Sequence, residues 1–212
     1  MHRRNGTAAG LLILLCMFLA LIGACKDVKR NVSQGNVGNA GQSETGSRYS
    51  FETHLLHGTH AFDVFTEGLG SVRTMTVVHT ENGRSDTLRE EIDGAVVNAA
   101  CADLDRDSIP EIYVFAQSAG SGSYANLHGF QFDQRGRQSI VLPELDKRHA
   151  AGYLGHDTLW AQDTVLVRRF PVYTEGDLNT SASGGTRTFE YVLQRDRTGT
   201  PRLECVRVFN NQ

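Results

Sequence analysis

Two short apolar segments, separated by an acidic loop, are the feature of this sequence that most constrains its fold. The segments are Ala95–Cys101 and Glu111–Gln117. The side chains of the second alternate between two faces, one formed by Ile112, Val114 and Ala116 and the other by Tyr113 and Phe115. Such alternation is typical of a β-strand. We predict that the segments are neighbouring strands, that the acidic loop between them (residues 103–110) is a structural turn, and that the small-residue loop after them (Ser118–Tyr124) is the working surface.

The other strand signals along the chain support the same class. Segments rich in Val and Thr, or alternating apolar and polar, are bounded by turn residues, as strands usually are. Asn82-Gly83 and Asp93-Gly94 are turn dipeptides. Further strands are predicted at Val72–His79, Thr87–Ile92, Tyr124–Phe132, Thr164–Phe170, Thr188–Gln194 and Leu203–Phe209. The predicted fold class is mainly β and antiparallel, with one or two short helices.

The best helix candidate is Pro143–Tyr153. Proline is well suited to the first helical position, and acidic residues follow it in the first turn. Lys147 and Arg148 come later, where positive charge favours the helix dipole.

The N-terminal residues have the composition of an export signal. A positive region at residues 2–4 precedes an apolar stretch at residues 10–22, which is too short to span a bilayer. The stretch ends in LIGAC (residues 21–25), which resembles the lipobox of bacterial lipoproteins, where the cysteine is lipidated and becomes the mature N-terminus. We therefore predict a signal peptide at residues 1–24 and lipidation of Cys25. An uncleaved anchor or a plain secretory signal is the alternative.

Residues 25–48 and residues 49–212 differ sharply in composition. The first segment is rich in Asn, Gly, Ser and charge, so it is predicted to be a flexible tether. The second is predicted to be a single β-rich domain. Lys26 follows the predicted lipid site, where enteric lipoproteins kept at the inner membrane carry aspartate. By that resemblance the protein is placed at the outer membrane, on its periplasmic or its cell-surface face.

The charge of the chain limits its partners. Removal of residues 1–24 takes away Arg3 and Arg4 and no acidic residue, so the net charge changes from −3 to −5. This mild acidity argues against nucleic acid as a partner, because nucleic-acid binding needs a basic surface. It is compatible with a cationic protein partner.

Cys101 and Cys205 are the two cysteines of the predicted domain. In an oxidising compartment they could form a disulfide, which would stabilise the fold by roughly 2–5 kcal/mol. Two buried free thiols are the alternative, and the sequence does not choose between them.

Four acidic side chains lie in or just after the acidic loop. Asp103, Asp105 and Asp107 are spaced by two, and Glu111 follows four residues later. Carboxylates at this spacing can surround a hard cation such as calcium, and the pattern resembles the calcium loop of FG-GAP-type repeats. However, Ser108 replaces the turn glycine of that pattern, and only one copy is present. The alternative, which we favour, is a turn whose carboxylates accept hydrogen bonds from backbone N–H groups.

The small-residue loop has the composition of a protruding surface loop. Two glycines among small hydroxyl residues allow the chain to approach another surface closely. Tyr124 at its end is an amphipathic residue of the kind enriched at binding hot spots. The loop lacks the lysine and the following helix of a P-loop. An ordinary flexible hairpin loop is the alternative.

The order of a strand, DLDRDSIPEI, a second strand and SAGSGSY resembles the periplasmic inhibitors of invertebrate-type (I-type) lysozyme. That family has a Ser-Gly-x-x-Tyr-like loop, and the closest match here is an inhibitory loop consisting of Ser121, Gly122, Ser123 and Tyr124. The resemblance extends over about residues 95–132. It implies a β-sandwich-like domain, often dimeric, whose loop enters the active-site cleft of a lysozyme without catalysing a reaction.

The chemistry of such a cleft suits this loop. Two carboxyl groups flank the glycosidic bond in a lysozyme. The hydroxyl groups of Ser121 and Tyr124 could donate hydrogen bonds to them and exclude the substrate. Arg135 or Arg137 could add a charge-assisted bond.

Two other functional classes are compatible with parts of the sequence. One is a calcium-stabilised β module for adhesion or envelope assembly. The other is a hydrolase that uses His156, Asp157 and a serine such as Ser121, although no nucleophile elbow is present. The histidines at positions 54, 57 and 60 are poor metal-ligand candidates, because strand alternation directs the middle one to the opposite face.

Overall fold

A computed structural model describes residues 48–211 as an all-β fold. The predicted signal peptide, the predicted lipid site Cys25 and nearly all of the predicted tether therefore lie outside the described residues. The described chain forms twelve strands: β1 (Phe51–His57), β2 (His60–Glu67), β3 (Val72–Glu81), β4 (Arg84–Asp93), β5 (Ala95–Ala102), β6 (Glu111–Gln117), β7 (Ala125–Asp133), β8 (Gly136–Ile140), β9 (Thr158–Gln162), β10 (Val165–Pro171), β11 (Thr186–Arg195) and β12 (Pro201–Asn211).

The strands form three antiparallel sheets of four strands each. The N-terminal sheet has the order β1-β2-β3-β4, the middle sheet β5-β6-β7-β8, and the C-terminal sheet β12-β11-β10-β9. Every neighbouring pair is consecutive in the chain; short turns connect several pairs, while longer loops connect β5 to β6 and β10 to β11. The Asn82-Gly83 turn between β3 and β4 shows the local cause: φ is 49° at the asparagine and 77° at the glycine, the left-handed values that tight hairpin turns require.

The middle sheet is covered on both faces. One hydrophobic core lies between it and the N-terminal sheet and includes Ile112, Val114 and Ala116. A second core, between the middle and C-terminal sheets, includes Tyr113 and Phe115 from the same strand. The alternation predicted for β6 is therefore confirmed. Because β6 is buried on both sides, only the loops at its two ends reach the surface.

Most strand predictions are confirmed, including β6 with the bounds that the sequence indicated. Strands β1, β2, β8 and β9 were not predicted. They are short or rich in polar and histidine residues, and pairing with their neighbours defines them more than their own composition does.

The predicted helix at Pro143–Tyr153 is wrong. Within residues 48–211 there is no α-helix, and this segment contains only a turn closed by the Ala150 N–H, which donates to the Asp146 carbonyl at 2.8 Å. Arg187 donates to the carbonyls of His149 and Ala151 at 2.6 and 2.9 Å. Those carbonyls are thus held by a side chain from β11, and a segment this short has little helical stability of its own.

Cys101 and Cys205, whose pairing the sequence left open, are not bonded to each other in the structure. Cys101 is buried in β5, where its thiol donates to the Leu56 carbonyl at 3.6 Å. Cys205 is exposed on β12, in a different sheet. The alternative from the sequence, that both thiols are buried, holds for Cys101 and not for Cys205. Separately, no helix among the described residues is long and apolar enough to cross a membrane.

Candidate functional site

The acidic loop and the small-residue loop lie at opposite ends of β6. The acidic loop connects β5 to β6, and the small-residue loop connects β6 to β7. This placement follows from the predicted pair of strands. It separates the two sets of candidate residues by the length of a seven-residue strand, about 23 Å.

The small-residue loop is closed by its own backbone. The Ser118 N–H donates to the Tyr124 carbonyl at 2.9 Å, and the Tyr124 N–H donates to the Ser118 hydroxyl at 3.0 Å. Inside this ring, the Ser123 N–H donates to the Gly120 carbonyl at 3.0 Å. Ser123 has a positive φ of 42°. These hydrogen bonds give the loop a defined turn conformation, although much of it is exposed.

A neighbouring segment at residues 152–157 packs along the loop. The His156 N–H donates to the Gly122 carbonyl at 2.6 Å. Gly155 has a φ of +92°, and a Cβ atom there would lie 2.1 Å from the Gly122 oxygen. Only glycine allows this close approach in this conformation. We call residues 152–157 the brace.

A second segment, the loop at residues 174–185 before β11, contacts the tip of the small-residue loop. Asn179 donates from Nδ2 to the Ser121 carbonyl at 2.9 Å, and its Oδ1 lies 3.4 Å from His156 Nε2. Its own carbonyl accepts a 2.8 Å hydrogen bond from the Tyr173 hydroxyl. Asn179 thereby connects the small-residue loop to the brace and to Tyr173, which follows β10.

Asp157 fastens the brace to both ends of the small-residue loop. Its carboxylate accepts from the Ala125 N–H at 3.3 Å, and its carbonyl accepts from Gln117 Nε2 at 3.2 Å. Those two residues are directly paired where β6 and β7 meet the loop. Arg168 donates to the same buried carboxylate at 2.6 Å. Burial and the Asp157 charge raise the pKa of Tyr153 above its usual range, so its hydroxyl stays a neutral donor to Asp157.

The hydroxyl-bearing side chains of Ser121, Ser123 and Tyr124 are at least partly open to solvent. Ser121 is exposed, Tyr124 is 44% exposed, and Ser123 is partly exposed. Within residues 48–211, none of these three hydroxyl groups makes a hydrogen bond. The Tyr124 ring packs edge-on against Tyr153, with 5.6 Å between ring centroids. The backbone is therefore held from inside while the hydroxyl groups remain available to a partner.

The acidic loop is organised by its own carboxylates. Asp103 accepts from the backbone N–H groups of Asp107 and Ser108, both at 3.0 Å. Asp107 in turn accepts from the Ile109 N–H at 2.8 Å. These bonds hold Arg106 and Ser108 at positive φ values of 59° and 71°. They are the bonds expected of the carboxylate-capped turn that we favoured from the sequence.

Glu111 and Arg195 connect the acidic loop to the cores. Glu111 is fully buried and accepts from the Leu104 N–H at 3.0 Å and from the Tyr113 hydroxyl at 3.1 Å. Burial raises its pKa to about 8. Arg195 of β11 forms ion pairs with Asp105 and Asp107. It links the C-terminal sheet to the middle sheet.

The four acidic residues predicted as calcium ligands do converge. One carboxylate oxygen from each lies within 4.8 Å of the others, so the set Asp103, Asp105, Asp107 and Glu111 has the donor chemistry and spacing for a hard cation. In this structure the guanidinium of Arg195 supplies positive charge to two of these carboxylates, Asp105 and Asp107. Calcium binding stays the alternative to the carboxylate-capped turn.

Other predicted residues are placed differently. Arg135 and Arg137 lie at the β7–β8 turn, across the nine-residue β7 from the small-residue loop and about 25–30 Å from it, so neither can support that loop. Of the three histidines considered as metal ligands, His57 is partly buried. His54 forms a hydrogen bond with Asp63, and His60 forms one with His79.

The brace and Asn179 were missed as supports of the loop. The sequence marked His156 and Asp157 only as residue types found in hydrolases. In the structure, the Asp157 carboxylate bonds Tyr153 and Arg168, and the His156 ring bonds Asn179. No local pattern signals that these residues support the loop, because the bonds that reach the loop join residues far apart in the chain, as in the 58-residue separation of Ser121 and Asn179.

Comparison with known families gives one match. The model of the family described as PliI, periplasmic lysozyme inhibitor of I-type lysozyme, matches residues 31–148, more than half of the chain. The match includes the acidic loop and the small-residue loop and ends before the brace. Neither a curated protein nor a solved structure matches the sequence.

Proposed function

Because the chain belongs to the family of periplasmic lysozyme inhibitors of I-type lysozyme, we propose that it inhibits such a lysozyme by inserting the small-residue loop into the active-site cleft. Ser121 and Tyr124 would donate hydrogen bonds to the catalytic carboxyl groups of the enzyme. The loop itself would occupy the space of the sugar chain. No catalytic step by this chain is required.

The observation that supports this proposal most is that neighbouring segments hold the loop through its backbone and not through most of its side chains. Backbone groups of the loop bond to the brace and to Asn179, while three of its four hydroxyl groups make no hydrogen bond within residues 48–211. A loop that is ordered before binding loses less conformational entropy on association, which increases affinity. Hydroxyl donors that reach a desolvated carboxylate form charge-assisted bonds, which are stronger than neutral ones.

The loop acts in this proposal without an arginine. The two arginines first considered lie at the other end of β7. The loop residues 118–124 are uncharged, so recognition would depend on hydroxyl donors, close backbone approach and the Tyr124 ring.

The direct test is a cell-wall lysis assay with purified protein and an I-type lysozyme. We expect Ser121→Ala and Tyr124→Ala each to weaken inhibition by roughly 10- to 100-fold, because a hydrogen bond to a charged group contributes about 1.5–3 kcal/mol. Tyr124→Phe separates the contribution of the hydroxyl from that of the ring. Ser139→Ala on β8 is the matched control, since this exposed serine lies in another part of the middle sheet. Unchanged inhibition by both alanine variants would refute the insertion mechanism.

The family is described as periplasmic, which supports export of this chain. We propose further, from the sequence, that Cys25 carries a lipid that anchors it to the outer membrane, and that the protein forms dimers. Cys25→Ser should abolish labelling by a fatty-acid probe and release the protein into the soluble periplasmic fraction. Sedimentation of the purified protein measures its oligomeric state.

A further inference from the structure

Three large apolar side chains are exposed around the small-residue loop. Tyr124 is 44% exposed, Leu154 in the brace is 43% exposed, and Leu178 is 71% exposed. They come from three separate chain segments. Leu154 and Leu178 both lie beyond residue 148, where the family match ends.

Direct contacts join these three segments into one surface. The Leu154 carbonyl is so close to Gly122 that a Cβ atom on the glycine would lie 3.0 Å from it. Asn179, which follows Leu178, donates to the Ser121 carbonyl. The exposed apolar side chains therefore flank the loop that we propose enters the lysozyme.

The segment that presents Leu178 is itself an ordered turn. The Ser181 N–H donates to the Leu178 carbonyl at 2.9 Å. The Asp177 carboxylate accepts from the N–H groups of Thr174 and Ser183 at 2.7 and 2.9 Å. An exposed leucine on an ordered turn needs little further ordering when a partner covers it.

We propose that Leu154 and Leu178 form a second, apolar contact with the lysozyme, on the rim of its cleft beside the inserted loop. This inference rests on the proposed function, because the loop defines where the enzyme sits. The lysozyme is the expected occupant because the segments that carry these leucines contact the loop directly, at Gly122 and at Ser121. Glu175 and Asp177, beside Leu178, disfavour an anionic lipid surface as the occupant. Apolar side chains that exclude water beside a polar anchor strengthen the anchor's hydrogen bonds.

The test compares two exposed leucines in the purified protein. Leu178→Asp should weaken inhibition of an I-type lysozyme about 10-fold or more, mainly through faster dissociation. Leu178→Met, which keeps an apolar side chain, should inhibit as well as the wild type. Leu69→Asp is the matched control, because Leu69 is 90% exposed in the β2–β3 connection. Melting temperatures of all variants should equal that of the wild type, since both leucines are exposed.

Each result has one meaning. If the wild type inhibits and Leu178→Asp is weakened while Leu69→Asp is unchanged, the second contact is supported. If the wild type inhibits and both aspartate variants inhibit equally well, the second contact is refuted while the loop mechanism stands. If the wild type inhibits no I-type lysozyme, the proposed function fails, and this inference fails with it.

Discussion

The acidic loop and the small-residue loop flank the same strand but are stabilised in opposite ways. The acidic loop is stabilised by its own side chains: its carboxylates accept hydrogen bonds from the loop backbone, and Arg195 links two of them to another sheet. The small-residue loop is held through its backbone by His156 and Asn179. Of its four hydroxyl groups, only that of Ser118 makes a hydrogen bond within the described residues.

This difference indicates how a surface becomes available for binding. A side chain that stabilises its own loop is already engaged with groups of the protein. A loop held by its neighbours can offer its side chains to a partner and still be ordered. The acidic loop is more conspicuous in the sequence, but its side chains are arranged to stabilise the fold and not to bind a partner.

The largest effect is expected at the base of the brace. Asp157→Ala should lower the free energy of unfolding by about 3–5 kcal/mol, because it leaves the buried Arg168 guanidinium without its carboxylate. Chemical denaturation measures this loss. Asp93→Ala, an exposed aspartate at the end of β4, should change stability by less than about 0.5 kcal/mol. Equal small losses in both variants would show that the brace does not depend on Asp157.

A pair of glycines tests whether the brace positions the small-residue loop. Gly155→Ala should weaken lysozyme inhibition by roughly 10-fold or more, because the new methyl group would displace the Gly122 carbonyl. Gly58→Ala carries a similar backbone penalty at φ +59°, of about 1 kcal/mol, but its methyl group meets nothing within 4 Å. Inhibition assays on both variants separate steric displacement from backbone strain. Similar inhibition by the two variants would contradict the positioning role.

Removal of Arg195 should affect stability without affecting inhibition. Arg195→Gln should lower the free energy of unfolding by about 1–3 kcal/mol, since Asp105 and Asp107 lose their ion pairs. The inhibition constant should stay within twofold, because the small-residue loop lies at the other end of β6. Arg197→Gln, at an exposed neighbouring position, should change neither quantity. Weaker inhibition by Arg195→Gln would show that the two loops are coupled.

Glu111 should make the acidic loop sensitive to pH. Its pKa is about 4.5 in the unfolded chain and rises to about 8 in the folded protein because of burial. Between these values the unfolded chain releases the proton and the folded protein retains it. Stability is therefore greatest below about pH 4.5 with respect to this group, falls as the pH rises toward 8, and then levels off. Glu111→Gln should remove this part of the pH dependence in denaturation experiments. An unchanged profile would contradict it.

Calcium should have the smallest effect. If the acidic loop is scaffold, as its backbone hydrogen bonds suggest, millimolar calcium should leave the melting temperature unchanged. A chelator should also leave it unchanged. A clear rise of the melting temperature with calcium would show that the four converging carboxylates bind the metal. The acidic loop would then be a binding site as well, and the two loops would no longer differ in this respect.

Sequence patterns alone were enough to predict the β class, the two faces of β6 and the positions of the loops at its ends. These features depend on local alternation and on turn residues, which are encoded over a few neighbouring positions. The same reasoning failed at Pro143–Tyr153, where local helix signals are overridden by the bonds from Arg187.

The support of the small-residue loop by other segments is visible only in the folded protein. The brace, Asn179 and Arg195 act through hydrogen bonds between residues far apart in the chain, such as the 88-residue separation of Arg195 and Asp107. Such pairs leave no periodic pattern, because their partners are chosen by how the sheets pack. The residues of the small-residue loop could thus be identified from the sequence, while the order that makes them suitable for binding arises from the folded chain around them.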